Sequence, residues 1–293
     1  MGARWVVVAN PAAGKRPIQM SRVRAALIEA GIEADFLMPS DVTEMKQALA
    51  EAVTAERLAL VGGDGTVNQA VNVLLERERE RLPILGVLPA GTGCDLLRTF
   101  GIPQDVEGAA HHLRGDAVYV IDVGELSGTW GTRRFANVAQ AGVGAAAVAT
   151  AGRLSRRLGS QRYLVSFGIR LPGFPATEIE LTTERRTYRG RALAVIMANA
   201  QFFAGGWNIA PKAMLVDGAF DLQVLNVPKT SAPALVPKIM RGLHLTEKGV
   251  RRISAPSFRL ETDLPWPVEV DGDFLGNTPV DGQVLPAAIQ LKI

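Results

Sequence analysis

The chain of 293 residues has one cysteine, Cys94, so no intramolecular disulfide can form and a disulfide-stapled secreted scaffold is excluded. With three histidines beside it, a structural Cys/His zinc site has too few ligands. No apolar run approaches the ~20 residues of a spanning helix. The opening Met1-Gly-Ala-Arg-Trp-Val-Val-Val breaks at Asn10-Pro11 without a signal-peptide layout, so a soluble cytoplasmic protein is expected. Thirty glycines and 17 prolines show no triplet period, which excludes collagen. The net charge of +3 is too small to argue for nucleic acid, and none is expected as a partner. Hydrophobic residues make up 47% and charged residues 21%, enough for a folded core of one large domain or two ordinary ones.

Two hydrophobic periods alternate over the first 120 residues. Strands are expected at Trp5–Ala9, Ala34–Met38, Arg57–Val61 and Ile84–Leu88. Helices are expected at Ser21–Ala30, with Val23, Ala26, Leu27 and Ala30 on one face and Gly31 as C-cap, at Val42–Thr54, with Met45, Leu49, Ala52 and Val53 inward, and at Thr66–Arg81. This order predicts an α/β domain, a parallel sheet with flanking helices, whose ligands sit at the carboxyl ends of the strands. From about residue 118 the texture changes to short strand-like runs with turns between them. They fall at Val118–Val123, Phe135–Val138, Glu178–Thr182, Ala192–Ala198, Phe220–Leu225, Ser257–Leu260 and Pro267–Val270, interrupted by helical segments at 143–171 and 231–247. An antiparallel all-β sandwich domain is expected there. The division is 1–120 for nucleotide, with 284–293 available to complete it, and 121–283 for substrate.

Three loops follow strands in the first half. Asn10-Pro-Ala-Ala-Gly-Lys15 lacks the Gly at 9 and the Ser/Thr at 16 of a Walker P-loop, and alone it reads equally as a strand-to-helix turn. Gly62-Gly-Asp-Gly-Thr66-Val-Asn68 places three glycines and a helix N-terminus together, which suits an anion. Asp64 would repel a bare phosphate, but it fits where a divalent cation bridges carboxylate and phosphate; the plainer alternative is an N-capping turn. Leu88-Pro-Ala-Gly-Thr-Gly-Cys-Asp95 is a second glycine-rich turn with a carboxylate. Paired loops of this kind meet the needs of phosphoryl transfer, which are positioned phosphates and neutralised charge.

These motifs resemble the diacylglycerol kinase catalytic family, in its bacterial branch related to sphingosine and ceramide kinases. The resemblance continues through Ala198-Asn-Ala-Gln-Phe-Phe-Ala-Gly-Gly-Trp-Asn-Ile-Ala-Pro211, Asp217-Gly-Ala-Phe-Asp221 and Val270-Asp-Gly-Asp273, nearly the whole chain in order. Gly-Gly-Asp-Gly-Thr alone is shared with NAD kinases and resembles a phosphofructokinase motif. The family implies an ATP- and Mg²⁺-dependent lipid kinase that converts diacylglycerol to phosphatidic acid. By position, Asn10, Pro11, Ala12, Ala13 and Gly14, then Gly62, Gly63, Asp64, Gly65, Thr66, Val67 and Asn68, and Thr92, would hold ATP. Ser40 stands near the family's adenosine-contacting Thr. Asp64 and Asp95 would act around the catalytic Mg²⁺. Asp273 would be the general base, and Asp217 with the carbonyls of Met214 and Ala219 would bind a structural Mg²⁺. From the residues alone, Asp217, Asp271 and Asp273 read as turn residues.

The chain departs from the family at Cys94, usually Asn, and at Asp273, usually Glu; the Asp that often follows Ala141-Gly-Val-Gly is missing. Cys94 reads as a small apolar filler rather than a nucleophile, and the three histidines as surface or packing residues. Between Glu125 and Glu178 there is no acidic residue, but there are Arg133, Arg134, Arg153, Arg156, Arg157, Arg162 and Arg170. A second basic segment, 235–252, spaces Lys238, Arg241, Lys248 and Arg251 for one helical face, with Leu235, Ile239, Met240 and Leu243 available for another. Either could dock on an anionic membrane surface, peripheral to its inner face, or be a solvated face. Family members often dimerise, which leaves a homodimer open. The alternatives are an NAD kinase-like small-molecule kinase and a non-catalytic nucleotide- or lipid-binding regulator. The missing Asn-Glu pair after the Gly-Gly-Asp-Gly-Thr helix argues against the first.

Overall fold

A computed structural model describes residues 4–10, 19–76, 81–90, 94–155, 158–159 and 161–293. The chain divides into two compact units, Met1–Ile121 with Ala287–Ile293, and Asp122–Pro286.

In the first unit, strands β1 (Trp5–Ala9), β2 (Ala34–Leu37), β3 (Arg57–Gly62) and β4 (Ile84–Pro89) alternate with helices α1 (Met20–Glu29), α2 (Val42–Ala52) and α3 (Asp64–Leu74). The short helices α4 (Asp95–Thr99) and α5 (Val106–His112) follow. The strand order β2-β1-β3-β4 is parallel throughout. Val7, Val8, Leu58, Leu60, Val61 and Leu88 are essentially buried, as expected where both sheet faces are covered. Leu27, Met45, Leu49, Val67 and Val71 supply the helical side of the core. Each such side chain contributes ~1.5–3 kcal/mol on burial. Asp41 caps α2 by accepting the N–H groups of Thr43 and Glu44. Gly31 closes α1: its N–H donates to Ile28 O, and that of Ile32 to Leu27 O.

The third helix differs from the expected Thr66–Arg81. Gly63 is its N-cap, so Asp64 and Gly65 lie in its first turn, and it stops at Leu74. Residues 77–80 of the expected helix lie outside the described residues, and the charge run from Glu76 to Arg81 lacks the apolar period of Val67, Val71 and Leu74.

The second unit is a sandwich. One sheet is antiparallel and runs β12 (Val250–Ala255), β11 (Phe220–Leu225), β10 (Ala194–Ala198), β7 (Val138–Gly142), β14 (Pro267–Val270), β15 (Asp273–Asn277). Facing it are β5 (Val118–Gly128), which enters from the first unit, β6 (Gly131–Phe135), β8 (Thr177–Thr183), β9 (Thr187–Ala192), β13 (Ser257–Thr262) and the early part of β16 (Val280–Lys292). The last residues of β16 return to the first unit, where Leu291 pairs in parallel with Leu85 of β4. The two sheets share a core in which Phe220 lies 5.8 Å from Phe135 and 5.5 Å from Phe258, ring centre to ring centre. Helices α6 (Val143–Ala151), α7 (Gln161–Arg170) and α8 (Ala232–Met240) complete the unit.

Three expectations fail here. Phe135–Val138 is not one strand: Ala136 and Asn137 fall between β6 and β7, because the N–H groups of residues 136–138 are taken by the Asp271 carboxylate instead of a neighbouring strand. The helical segment 143–171 is two helices. The segment 231–247 ends as helix at Met240, where Gly242 (φ 71°) lets Leu243 N–H reach Lys238 O. Lys248 lies beyond the helix and Arg251 lies in β12, so the proposed face with Lys238 and Arg241 does not exist.

Candidate active site

The parallel register aligns Leu37 with Val8, Ala9 with Val61, and Gly62 with Pro89. The segments leaving β1, β2, β3 and β4 therefore emerge on one edge of the first unit. Asn10 N–H donates to Val61 O at 3.0 Å, and its side-chain amide donates to Thr66 Oγ1 at 2.9 Å, which ties the first loop to the second. Ala90 N–H donates to Gly62 O at 2.9 Å and ties the third loop to the second. A Cβ on Gly62 would lie 2.2 Å from Thr66 Oγ1, so only glycine lets strand and helix approach this closely.

Asp64 is fixed by a second helix. Its Oδ1 accepts the N–H of Asp95 at 2.8 Å and of Leu96 at 3.3 Å, at the first turn of α4. The carboxylate thus stands at the N-termini of both α3 and α4, where helix dipoles favour negative charge. Cys94 Sγ donates to the same oxygen at 3.4 Å, and Cys94 N–H donates to Gln104 Oε1 at 2.8 Å. Cys94 is more than a filler, since it is a weak second donor to Asp64. Burial, with the Asp64 charge beside it, pushes its thiol well above the usual range, so no thiolate is available for nucleophilic attack. Asp95 is buried, with Arg98 Nε 3.3 Å from its Oδ1. Thr66, Val67 and Asn68 are buried in the first turns of α3. Ser40 lies just after β2, its N–H and hydroxyl both donating to Glu44 Oε2. Pro11, Ala12, Ala13, Gly14 and Thr92 lie outside the described residues, as do Arg156 and Arg157.

In the second unit, Asp271 (φ 47°) and Gly272 (φ 95°) form a two-residue turn in which both central residues adopt positive φ, the geometry an Asp-Gly pair favours. Asp273 follows it as the first residue of β15. Its side chain is 65% exposed and forms an ion pair with Arg133 Nη2 at 3.0 Å. Asp271 is buttressed from behind, accepting Val138 N–H at 3.0 Å and those of Ala136 and Asn137 at 3.3 Å. Glu269, fully buried on β14, was not singled out from the sequence. It accepts Gly272 N–H at 2.8 Å and the Gln140 side-chain amide at 2.8 Å. Burial pushes its carboxyl up to about 8.

Asp217 and Asp122 face one turn. Asp122 Oδ2 accepts Gly218 N–H at 2.7 Å, and Asp217 Oδ1 accepts Ala219 N–H at 3.2 Å. Partial burial, with the Asp122 charge nearby, raises the Asp217 carboxyl. Among the described residues no three His, Cys, Asp or Glu side chains gather as a metal cluster. A cation here would rely on one or two carboxylates and turn carbonyls, an all-oxygen set of the kind Mg²⁺ accepts. Nearby, His244 Nε2 pairs with Gln223 Oε1 at 2.7 Å, and the Gln223 amide donates to Asp221 Oδ1 at 2.8 Å. His244 is a buried packing histidine, and burial lowers its pKa.

Two family models match the chain, one in each half. Residues 4–126 match the model described as diacylglycerol kinase catalytic domain, and residues 137–293 the model described as YegS C-terminal NAD kinase beta sandwich-like domain. The diacylglycerol kinase of Bacillus subtilis (strain 168) is 26% identical over 280 residues, 93% of this chain and 90% of that protein. Lipid kinase YegS of Escherichia coli (strain K12) is 27% identical over 236 residues, 79% of this chain and 76% of that protein. A crystal structure of a diacylglycerol kinase from Bacillus anthracis str. Sterne superimposes with a TM-score of 0.77 at 21% identity, covering 99% of this chain and 96% of that one.

Proposed function

This chain belongs to the lipid kinase family that joins these two domains, and from that membership we propose that it transfers the γ-phosphoryl group of ATP to the hydroxyl of diacylglycerol, giving phosphatidic acid. The observation that carries the reading is the fixing of Asp64 by the backbone of α4 on the strand edge where the Asn10, Gly62 and Ala90 segments are tied together. Backbone N–H groups at the N-terminus of α3 would cradle the phosphates. ATP with Mg²⁺ supplies the transferable phosphoryl group and charge neutralisation.

Asn10 and Thr66 brace the phosphate loops, and Asp64 and Asp95 are the carboxylates suited to the cation that accompanies the triphosphate. Ser40, Gly63, Gly65, Val67, Asn68 and Thr92, with residues 11–14, complete the nucleotide site. Asp273 takes the proton from the acceptor hydroxyl as its oxygen attacks phosphorus, a role that general-base catalysis makes worth ~10²–10⁴-fold. An Asp one methylene shorter than Glu suits this role on a turn braced by Asp271 and Glu269. Arg133 Nη2 pairs with the Asp273 carboxylate at 3.0 Å. Asp217, with the carbonyls of Met214 and Ala219, is a structural cation site that would rigidify the loop before β11. The acceptor is drawn from an anionic membrane surface.

The test is to supply labelled ATP and Mg²⁺ with a panel of lipids and with NAD. Label in a lipid supports the reading. Label in NAD favours a small-molecule kinase, and nucleotide binding without turnover favours a regulator.

A further inference from the structure

We propose that Gln140 and Glu269 are positioning residues for phosphoryl transfer, which hold the Asp271–Gly272 turn so that Asp273 meets the acceptor hydroxyl in one geometry. This deepens the reading of Asp273 as the general base and rests on it. Strands β7 and β14 are buried along nearly their whole length, and such strands are ordinarily apolar. Their sequences, Val138-Ala-Gln-Ala-Gly142 and Pro267-Val-Glu-Val270, carry one polar side chain each. The antiparallel register sets these two opposite each other, Glu269 against Gln140, so both side chains leave the same face of the sheet. Glu269 has no exposed surface and Gln140 almost none. An apolar pair would fill this space at less cost, because a buried carboxyl must give up its hydration. Packing therefore does not account for the pair.

The hydrogen bonds do. Glu269 Oε1 accepts the Gln140 amide at 2.8 Å and Oε2 accepts Gly272 N–H at 2.8 Å, so both carboxyl oxygens are engaged. Gly272 adjoins Asp273. The turn is pinned from its other side by Asp271, whose carboxylate accepts the N–H groups of Ala136, Asn137 and Val138. Room for Gln140 is left by a glycine. Gly144 lies in the first turn of α6, and a Cβ there would stand 2.2 Å from Gln140 Oε1. Gln140 can serve either protonation state of its partner. Its N–H donates to the carboxylate, and its carbonyl accepts from the neutral acid once the amide turns over. Burial, with the Asp271 and Asp273 charges facing Glu269, favours the neutral acid.

The experiment is transfer from labelled ATP and Mg²⁺ to dispersed diacylglycerol by Gln140→Leu, Glu269→Leu, Glu269→Gln, Gly144→Ala and Asp273→Asn, with urea denaturation of each. In Gln140→Leu and Glu269→Leu, kcat should fall at least about tenfold while KM for ATP changes by less than about twofold, the pattern of a misplaced group rather than of lost binding. Glu269→Gln keeps an acceptor for Gly272 N–H and should restore most of the loss. Gly144→Ala reaches the pair from α6 without altering either member, and should lower kcat in the same way. Added to Gln140→Leu it should do no further harm, since the amide it displaces is already gone. Its clash is with the tip of a flexible side chain, so it decides the matter even if Glu269→Leu fails to fold. Undiminished kcat in Gln140→Leu or Gly144→Ala, a change in KM alone, no recovery in Glu269→Gln, or additive losses in the double variant would each overturn the proposal. Asp273→Asn separates it from the kinase reading. If that variant loses transfer while Gln140→Leu and Gly144→Ala keep it, the positioning role fails and the kinase stands. If wild type labels no lipid, or Asp273→Asn transfers like wild type, the base assignment itself fails and the proposal falls with it.

Discussion

Glu269 Oε2 accepts the backbone N–H of Gly272 at 2.8 Å, so a fully buried carboxyl holds the turn from which Asp273 projects. The proton on that carboxyl links the turn to pH. Its folded pKa is raised from 4.5 to about 8 by burial. The folded state therefore holds a proton that the unfolded chain releases near 4.5. The stabilisation is complete below that value and is lost as pH rises through 8, at up to ~1.4 kcal/mol per pH unit. Glu269→Gln, which mimics the protonated form, should flatten this dependence. Urea denaturation of both proteins from pH 5 to pH 9 checks it: wild type should lose stability relative to the variant across that window.

Cys94 should resist thiol reagents in the folded protein. It has no exposed surface, and burial beside Asp64 keeps it protonated. Reaction with a disulfide reagent should be at least a hundredfold slower than in denaturant. Fast reaction under native conditions would mean that the α4 turn opens, and with it the clamp on Asp64.

Gly62→Ala should cost ~1–3 kcal/mol, as overpacking does, because the added Cβ meets Thr66 Oγ1 at 2.2 Å. Displacing Thr66 also breaks its hydrogen bond from Asn10. Calorimetric titration with ATP should then show weaker binding, by more than Thr66→Ser, which keeps the hydroxyl.

Mg²⁺ should raise the melting temperature of the wild type by a few degrees, and chelation should reverse this. Asp217→Ala should abolish the shift, whereas Glu261→Ala, on the exposed face of β13, should keep it. An equal shift in Asp217→Ala would place the cation elsewhere.

Much of the architecture is legible in the residues, because both layers of the first unit repeat their own periods. Val7, Val8, Leu58 and Leu60 form unbroken apolar runs, and Met45 and Leu49 recur at helical spacing. The misreadings have local causes. Gly242 sits within a run of cations whose spacing continues to look helical, so the end of α8 is hidden. Asp271 looks like a turn residue, and it is one. Its second role depends on N–H groups more than 130 positions away, which no local pattern reports. Glu269 is masked by alternation: in Pro-Val-Glu-Val a charged residue suggests an outward face, but β14 is covered on both sides. The clamp from α4 on Asp64 joins two loops whose motifs are each visible, although their contact is not.

The most direct measurement is label transfer from γ-labelled ATP to dispersed diacylglycerol, comparing wild type with Asp64→Ala and Asp273→Asn. The account predicts labelled phosphatidic acid from wild type and losses of at least ~10²-fold in both variants, with the fold retained by circular dichroism. Undiminished transfer by either variant, or no lipid product from wild type under any acceptor, would contradict it.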